Sequence, residues 1–450
     1  MEATAKLAKL VTDLKYANIP PKALETVKVA LRDCLGVALA GSKEEDAMIC
    51  AQVARQEQAK EETTVIGQGF KTSALNAALA NGTAAHAMDY DHSFTLMGQP
   101  TAPIIPASFS LAEALGASGR QLIEAYAAGF EVTARLVHAL ADSPHDGWHA
   151  PSTLGSFGAA AACAKLLGLN VTQIEMALGI TASMASGIVA NFGTMTKPLH
   201  VGLGARNGVL AAKLAAGGFT ANNKAIESGF GLFKVFHPNA PVRETAIEAP
   251  GESWALLNDG IRIKPYPCGG LTHQVIDSIL EFRAQQGLTP DMVERVDVDV
   301  VKHTFERIVF KVPQTSIQGK FCMPYLVARA LIDGKVSLHA FTDVAVRDPN
   351  VLKLAERVQM NLDNNLKKTD PAGRPCRVTV RLKNGQVLCR EAQHAKGGPE
   401  FPMTEEELRG KFTECARQAL SADAAARALA GIESLESLND VRSLAEILRG

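Results

Sequence analysis

Three stretches rich in glycine and alanine constrain the fold of this chain most. They are residues 74–87, 154–167 and 199–216, and each has the periodicity of a helix. Side chains this small let two helix backbones approach closely, which suits the centre of a helical bundle. The sequence therefore predicts a helical bundle, with the helix at residues 154–167 suited to its centre.

The remaining segments before residue 255 have the pattern of amphipathic helices. Apolar residues at positions 7, 10, 11 and 14 form one stripe, and Pro20 and Pro21 separate that helix from the next. Further helices are expected at residues 23–39, 44–58, 104–115, 121–140 and 174–184. Residues 63–67 are expected to be a short β-like connector and residues 187–198 a loop. This part of the chain is otherwise predicted to be all-α.

The pattern changes after Trp254. Residues 293–301 (VERVDVDVV) alternate apolar with charged side chains, which is typical of a half-buried strand, and Asn384-Gly385 predicts a hairpin. Residues 261–264 are predicted to be a strand and 351–360 a helix, and the tail returns to helical periodicity. We predict a mainly α protein. Its large helical domain comes from both chain ends (1–258 and 396–450), and a smaller α+β domain (259–395) is inserted between them.

The charge balance excludes several classes of function. Lysine and arginine total 46 residues against 47 aspartates and glutamates, so the net charge is −1. Binding to nucleic acid or to a membrane surface calls for a basic excess, which this chain lacks. Aromatic residues make up only 5% of the chain, which also argues against base-stacking platforms. A small-molecule partner fits this composition better.

The cysteines and the apolar runs indicate the compartment. The eight cysteines are scattered and form no C-x-x-C pair, as expected for reduced, mostly buried thiols. The first residues alternate charged with apolar side chains, and no window of about 18 residues is apolar enough to span a bilayer. A soluble, cytoplasmic protein is expected.

The first candidate site lies at the end of the stretch 74–87. His86, Asp89, Asp91 and His92 follow one another closely there, and His86 and Asp89 share a helix face. Three interpretations remain open: a solvated helix end, a metal site, and a metal-free acid–base site. The other clusters lack metal-ligand spacing, so the metal-free interpretation is favoured over the metal.

The second candidate is a loop that carries His145 and His149. Loops held by a rigid scaffold often carry catalytic groups, although surface histidines are also common in loops. His145 fits the surface interpretation. His149 precedes a predicted helix, where the helix dipole would stabilise a bound anion.

Two further candidates contain lysines. Lys197 and His200 lie at the start of the third glycine- and alanine-rich helix, where the lysine could hold a carboxylate or act as a base, or simply be solvated. Lys264 and His273 lie in the segment KPYPCGGLTH near the domain boundary. Cys268 in this segment is interpreted as a packing residue rather than as a nucleophile.

These motifs together resemble the MmgE/PrpD family, which includes 2-methylcitrate dehydratase, cis-aconitate decarboxylase and iminodisuccinate epimerase. The markers are NGTAAHAMDYDH (81–92), TKPLHVGLGARNG (196–208) followed by GGFTA, and KPYPCGGLTH (264–273). The resemblance implies a homodimer without metal or organic cofactor and a site in the cleft between two domains. It implies that four residues are catalytic: Asp89, His149, Lys197 and His273. Asp91, His92 and Lys264 lie beside them, and with Gln99 and His200 they are the expected substrate-binding residues.

One departure from the family limits the reaction. Many relatives have histidine-proline where this chain has Gln99-Pro100, and a second carboxylate where it has His92. Glutamine cannot deliver or accept a proton at neutral pH, whereas dehydration and decarboxylation both need an acid. The sequence therefore favours an iminodisuccinate-like epimerase that abstracts the proton α to a carboxylate. The alternatives are a dehydratase of a 2-methylcitrate-like acid, a cis-aconitate-type decarboxylase, an inactive carboxylate-binding relative and a metal-dependent hydrolase.

Overall fold

The chain divides into two compact units. The computed structural model describes residues 2–94, 97–140, 147–238, 241–247, 253–369 and 373–450. Unit 1 comprises Met1–Arg262 together with Thr404–Gly450, and unit 2 comprises Ile263–Met403. Helices dominate unit 1, and a four-stranded sheet with helices forms unit 2. The prediction of a mainly α protein with a small inserted α+β part is confirmed.

The elements follow in chain order. The α-helices of the first 262 residues are α1 (Ala3–Asp13), α2 (Pro21–Gly41), α3 (Glu45–Gln56), α4 (Ala74–Ala87), α5 (Thr101–Leu115), α6 (Gly119–Ala139), α7 (Ala150–Thr153), α8 (Gly155–Leu166), α9 (Val171–Met184), α10 (Thr196–Ala216), α11 (Leu232–Phe236), α12 (Glu244–Ile247) and α13 (Ala255–Asn258). The later helices are α14 (His273–Gln286), α15 (Lys302–Phe305), α16 (Ser316–Gly319), α17 (Met323–Asp333), α18 (Pro349–Ala355), α19 (Glu405–Ala416), α20 (Ala422–Glu433) and α21 (Arg442–Leu448). The strands are β1 (Thr63–Val65), β2 (Phe70–Thr72), β3 (Val293–Val300), β4 (Val358–Leu362), β5 (Cys376–Leu382) and β6 (Val387–Ala392).

Close packing of α4 against α10 organises unit 1. A Cβ added at Gly202 would lie 2.3 Å from Oγ1 of Thr83 and 2.4 Å from the carbonyl oxygen of Leu79. One added at Gly82 would lie 2.9 Å from Cα of Gly202. Since real Cβ atoms do not approach that closely, only glycine fits where the two backbones meet. The interpretation of GLGARNG as a close-packing segment is confirmed, and the end of α4 is held against the start of α10.

A buried ion pair joins the two ends of the chain within unit 1. Lys411 of α19 lies 2.5 Å from Oδ1 of Asp33 in α2, and both side chains are almost fully buried. The other oxygen, Oδ2, accepts hydrogen bonds from the backbone N–H and from Nδ1 of His92 at 3.0 and 2.8 Å. Burial alone would raise the pKa of Asp33, but the charge of Lys411 and these hydrogen bonds outweigh it and lower the pKa to about 2.

The network continues from His92 into the helices of unit 1. Nε2 of His92 lies 2.5 Å from Oγ1 of Thr101, which lies 2.8 Å from the hydroxyl of Tyr126. Burial raises the pKa of Tyr126 above its ordinary value, so this hydroxyl stays protonated at neutral pH. Nζ of Lys411 also donates to the carbonyl of Tyr90 at 2.9 Å. The segment that follows α4 is therefore fixed from two sides.

Unit 2 is built on a mixed sheet of order β4-β3-β5-β6. Strand β3 pairs in parallel with β4 and antiparallel with β5, and β5 and β6 form the hairpin predicted at Asn384-Gly385, where Gly385 has a φ of +86°. Two predictions here are wrong. Residues 261–264 form no strand, only an isolated bridge of Arg262 with Ser93. The predicted helix 351–360 ends at Ala355, because the chain then pairs with the open edge of β3 as β4, with Val358 opposite Val296.

None of the eight cysteines forms a disulfide, and six of them are buried. Burial raises the pKa of several of these thiols, such as that of Cys322 to about 11, which keeps them protonated and unreactive. Within the described ranges, no helix combines the length and the apolar character that crossing a membrane requires.

Candidate active site

A strained turn follows α4 and carries the first acidic residue of the site. Asp89 has a φ of +53°, in the left-handed region that non-glycine residues seldom adopt. Its backbone N–H donates to the carbonyl of His86 at 3.1 Å. Such a conformation costs of order 1–3 kcal/mol and persists only where the surroundings enforce it, often at functional sites. On either side of this turn the two acidic side chains have different partners, Lys197 for Asp89 and His86 for Asp91.

Asp89 forms an ion pair with Lys197. Nζ of Lys197 donates to Oδ1 of Asp89 at 2.8 Å, and the two side chains are 19% and 15% exposed. Lys197 lies in the first turn of α10, which begins at Thr196 rather than at the predicted residue 199. Nζ also lies 5.5 Å from the ring centroid of Phe192. The pair is sheltered but reachable, so the ammonium group can use its remaining donors on a ligand.

His149 lies beside this ion pair as the residue before α7. Its backbone N–H donates to the carbonyl of Gly187 at 2.9 Å, and its ring meets the ring of Phe192 edge-on at 5.0 Å. Burial first, and then the positive charges of His86, Lys197 and His200, lower the pKa of His149 well below its ordinary value. The imidazole is therefore neutral at neutral pH and has a lone pair to offer.

His200 completes a contact between two imidazoles. Its Nδ1 lies 3.4 Å from Nδ1 of His149, so one of the two nitrogens carries the shared hydrogen. Burial, followed by the charges of His86 and Lys197, lowers the pKa of His200 as well. Gly187 covers this pair: its φ is +109°, and an added Cβ would lie 3.2 Å from Cγ of His200. Glycine is required there for the backbone to pass over the two rings.

Two residues that sequence reasoning left without a catalytic role belong to the same cluster. Nδ1 of His86 lies 3.1 and 3.0 Å from the two carboxylate oxygens of Asp91. The ring of His86 lies 5.5 Å from that of His149, centroid to centroid. The sequence placed His86 and Asp91 in one segment, but only the left-handed turn at Asp89 brings these two side chains together. Phe192 was missed entirely, because a phenylalanine in a predicted loop gives no signal.

Three other predicted positions in unit 1 have different surroundings. His92 has both ring nitrogens occupied in the buried network, by Asp33 and Thr101, and does not touch the cluster around His149. Gln99 is half-buried and follows Gly98, where an added Cβ would lie 3.5 Å from Cγ of Pro151 in α7. His145 lies outside the described residues.

The remaining predicted residues form a local arrangement in unit 2. His273 begins α14, its ring is buried edge-on against Tyr266 at 5.2 Å, and its Nε2 lies 3.2 Å from the carbonyl oxygen of Cys268. Cys268 is fully buried beside Thr272, with 3.4 Å between Sγ and Oγ1, as expected of a packing residue. Lys264 is also buried. That Lys264 and His273 act on the substrate stays a prediction.

The possibility of a metal centre was tested on the side chains themselves. In the parts of the chain that the structure describes, no group of three or more His, Cys, Asp or Glu side chains has the arrangement needed to hold a metal ion. The rings of His86 and His200 each pack at a tilt against the ring of His149, with 5.5 Å between centroids. The prediction of a metal- and cofactor-independent site stays a prediction.

Asp89, Lys197 and three histidines thus form one sheltered cluster of charged and imidazole groups in unit 1. Comparison with known proteins shows the family of the chain. The chain belongs to the MmgE/PrpD family: the family's N-terminal domain matches residues 5–245 and its C-terminal domain residues 266–437. The family membership predicted from the three motifs is thereby confirmed.

Several curated relatives bear the name cis-aconitate decarboxylase. The chain is 29% identical to cis-aconitate decarboxylase of Homo sapiens, across 99% of this chain and 94% of the relative. It is also 29% identical to the Mus musculus enzyme of that name, and 27% identical to the one of Aspergillus terreus, across 99% of this chain and 93% and 95% of those relatives. These relatives are decarboxylases by name, and an epimerase of iminodisuccinate is not confirmed.

Proposed function

We propose that this chain is a lyase that decarboxylates a small unsaturated tricarboxylate of the cis-aconitate type, without a cofactor. The observation that carries the proposal is that a neutral, buried imidazole, His149, and the ammonium group of the Lys197–Asp89 pair lie against the same ring, that of Phe192. The names of the curated relatives support decarboxylation over the epimerisation favoured by the sequence.

The ammonium group of Lys197 holds a substrate carboxylate in this proposal. Lysine has three donors, and Asp89 uses one of them at 2.8 Å, so a carboxylate can bind without breaking the ion pair. A lysine in the first turn of a helix is also disfavoured by the helix dipole, and an added negative charge relieves this. The site therefore gains from binding an anion.

His149 supplies the proton in this proposal. The imidazole is neutral in the free site, but the negative charges of a bound tricarboxylate raise its pKa, so the proton enters together with the substrate. The bond between carbon and the departing carboxylate then breaks, and its electron pair stays on the substrate, delocalised towards a neighbouring carboxylate. The imidazolium of His149 gives its proton to that carbon, and carbon dioxide leaves.

Gln99 favours a second candidate, the epimerase. A glutamine donates a hydrogen bond but carries no titrating proton, so it cannot serve as a catalytic acid at its position. Epimerisation needs one base and one conjugate acid on opposite faces of a carbon, and His149 and Lys197 could fill both roles without help from Gln99. Dehydration remains a third possibility within the same family.

Product analysis in deuterated water separates these candidates. The purified protein is incubated with cis-aconitate, with 2-methylcitrate and with an iminodisuccinate-like dicarboxylate, and followed by proton NMR and carbon dioxide release. We expect carbon dioxide from cis-aconitate in amounts equal to the substrate lost, with one deuterium on carbon in the product. Deuterium exchange without carbon dioxide would replace the decarboxylase by the epimerase. Binding without turnover of any substrate would leave an inactive relative.

We further propose that the chain works as a homodimer. Large apolar side chains are exposed in two segments of unit 1. One segment precedes α10 and contains Ile188, Val189, Phe192 and Met195, and the other follows α10 and contains Phe219, Phe230 and Val235. The side chain of Phe230 is 97% exposed. A group of exposed apolar side chains of this size is rarely left uncovered on the surface of a monomer. We expect Phe230→Asp to raise the dimer dissociation constant at least tenfold, as measured by light scattering on dilution. Val344→Asp, at an 84% exposed position of unit 2, is the matched control and should leave it unchanged.

A further inference from the structure

His86 has one ring nitrogen that is buried and unused. The side chain is fully buried, and its Nε2 has no hydrogen-bond partner among the residues that the structure describes. Leaving such an atom without a partner costs about 1–3 kcal/mol. The nitrogen lies on the ring that packs against His149, at 5.5 Å between ring centroids and 36° between ring planes. We therefore expect Nε2 of His86 to have a hydrogen-bond partner in the working site.

The other ring nitrogen of His86, Nδ1, determines which neutral tautomer the imidazole adopts. Nδ1 lies 3.1 and 3.0 Å from the oxygens of Asp91, and an ionised carboxylate only accepts hydrogen bonds. Nδ1 must therefore carry a hydrogen whether the ring is neutral or charged. In the neutral ring Nε2 is then a lone pair, and on protonation it becomes a donor. Asp91 thus disfavours the neutral tautomer of His86 that carries its hydrogen on Nε2.

The groups around His149 limit how many protons the cluster holds. His149 faces His86 from α4, Lys197 and His200 from α10, and Asp89 from the turn between α4 and the following segment. A positive charge on His86 opposes one on His149, because both rings are buried and close together. Among the described residues, the carboxylate of Asp91 hydrogen-bonds the ring of His86, so Asp91 acts on His149 through His86.

We propose that Asp91 and His86 form a positioning pair in which Nε2 of His86 hydrogen-bonds His149 through one bridging water and sets its protonation. This assignment rests on the proposed function only in that His149 handles the substrate proton. Among the described residues, the side chains of Asp91 and His86 form no hydrogen bond with another predicted catalytic side chain, and the ring of His86 packs against that of His149, so the pair acts through His149. Asp91 then serves His86 rather than the substrate, in contrast to the role expected from the sequence.

The substitution Asp91→Asn tests the tautomer. Its amide keeps the shape of the carboxylate but can donate to Nδ1 of His86, which would move the hydrogen to Nε2. We expect the nitrogen-15 NMR signals of the two ring nitrogens of His86 to exchange their protonated and unprotonated positions. The kcat should fall by about 10³–10⁴-fold with a much smaller change in KM, the size seen when an orienting aspartate of another enzyme is replaced by asparagine. An unchanged tautomer would overturn the proposal.

The substitution His86→Gln tests the coupling without the need for substrate. Glutamine keeps a donor for Asp91 but cannot be protonated, so the NMR titration of His149 should move to higher pH than in the parent protein. An identical titration of His149 in the parent and in His86→Gln would overturn the proposal. If neither the parent nor the variants turn over any substrate while the titration still moves, the proposed function fails and the positioning pair stands. Circular dichroism confirms that each variant is folded.

Discussion

Replacing Lys197 with methionine is expected to lower kcat by at least about 10²–10³-fold and kcat/KM by more. The first loss arises because a positioned donor to developing negative charge is removed, which costs about that factor in other enzymes. The second arises because Asp89, only 15% exposed, is left without its counter-charge and repels an anionic substrate. Steady-state kinetics on the substrate identified by product analysis measures both losses.

A matched control separates this effect from the loss of any lysine on α10. Lys213 lies on the same helix with its side chain 45% exposed, and its nearest acidic oxygen, on Glu62, is 3.9 Å away. Lys213→Met should keep kcat and kcat/KM within about twofold of the parent, because a weak, exposed pair of this kind contributes little. If Lys197→Met retained the activity of Lys213→Met, Lys197 would hold no substrate carboxylate and the proposed mechanism would be wrong.

Replacing Lys411 with methionine is expected to lower the free energy of unfolding by about 3–5 kcal/mol, because Asp33 would remain buried without its cation. Urea denaturation measures this loss. The double variant Asp33→Asn with Lys411→Met should recover much of it, since no charge is then left unpaired. Lys9→Met is the control: Lys9 forms an exposed ion pair with Asp13, and its loss should cost less than about 1 kcal/mol. Equal losses for Lys411→Met and Lys9→Met would contradict the buried network.

The same pair predicts how stability depends on pH. The pKa of Asp33 is lowered from 3.8 to about 2, so the folded state binds this proton less readily than the unfolded state. The stabilisation is therefore complete above about pH 4 and is lost as the pH falls towards 2, by about 2 kcal/mol in all. In Asp33→Asn this part of the acid dependence should be absent, which denaturation at a series of pH values would reveal.

Local patterns in the sequence were enough to predict most of the fold. The glycine-rich segment from Gly202 to Gly208 indicated close helix packing, and Asn384-Gly385 indicated the hairpin, because each signal acts within a few residues. The strand β4 was missed for the opposite reason. Its residues read as the continuation of α18, and only the open edge of β3, distant in the chain, makes Val358 part of a sheet. Pairing between distant segments overrides such weak local preferences.

The candidate site was predictable in its parts but not in its connections. The sequence singled out Asp89, His149 and Lys197, which the structure brings together in unit 1. It could not reveal that Asp91 pairs with His86, because this contact depends on the positive φ of Asp89. Nor could it reveal that His92 serves a structural network, since its partner Asp33 lies 59 residues earlier. Residue types identify candidate groups, whereas their partners depend on the folded chain.

The ion pair between Asp33 and Lys411 affects the order in which the two units can fold during synthesis. Asp33 emerges from the ribosome early, while its cation comes only after all of unit 2 has been made. Until then α2 carries a carboxylate that must stay in water or find a temporary partner, because burying it alone is too costly. Unit 2 is continuous in the chain, so its folding does not have to wait for a distant segment. We therefore expect the nascent chain to complete its inserted unit first, and the helical unit that holds Asp89 and Lys197 to close only after Lys411 has been made.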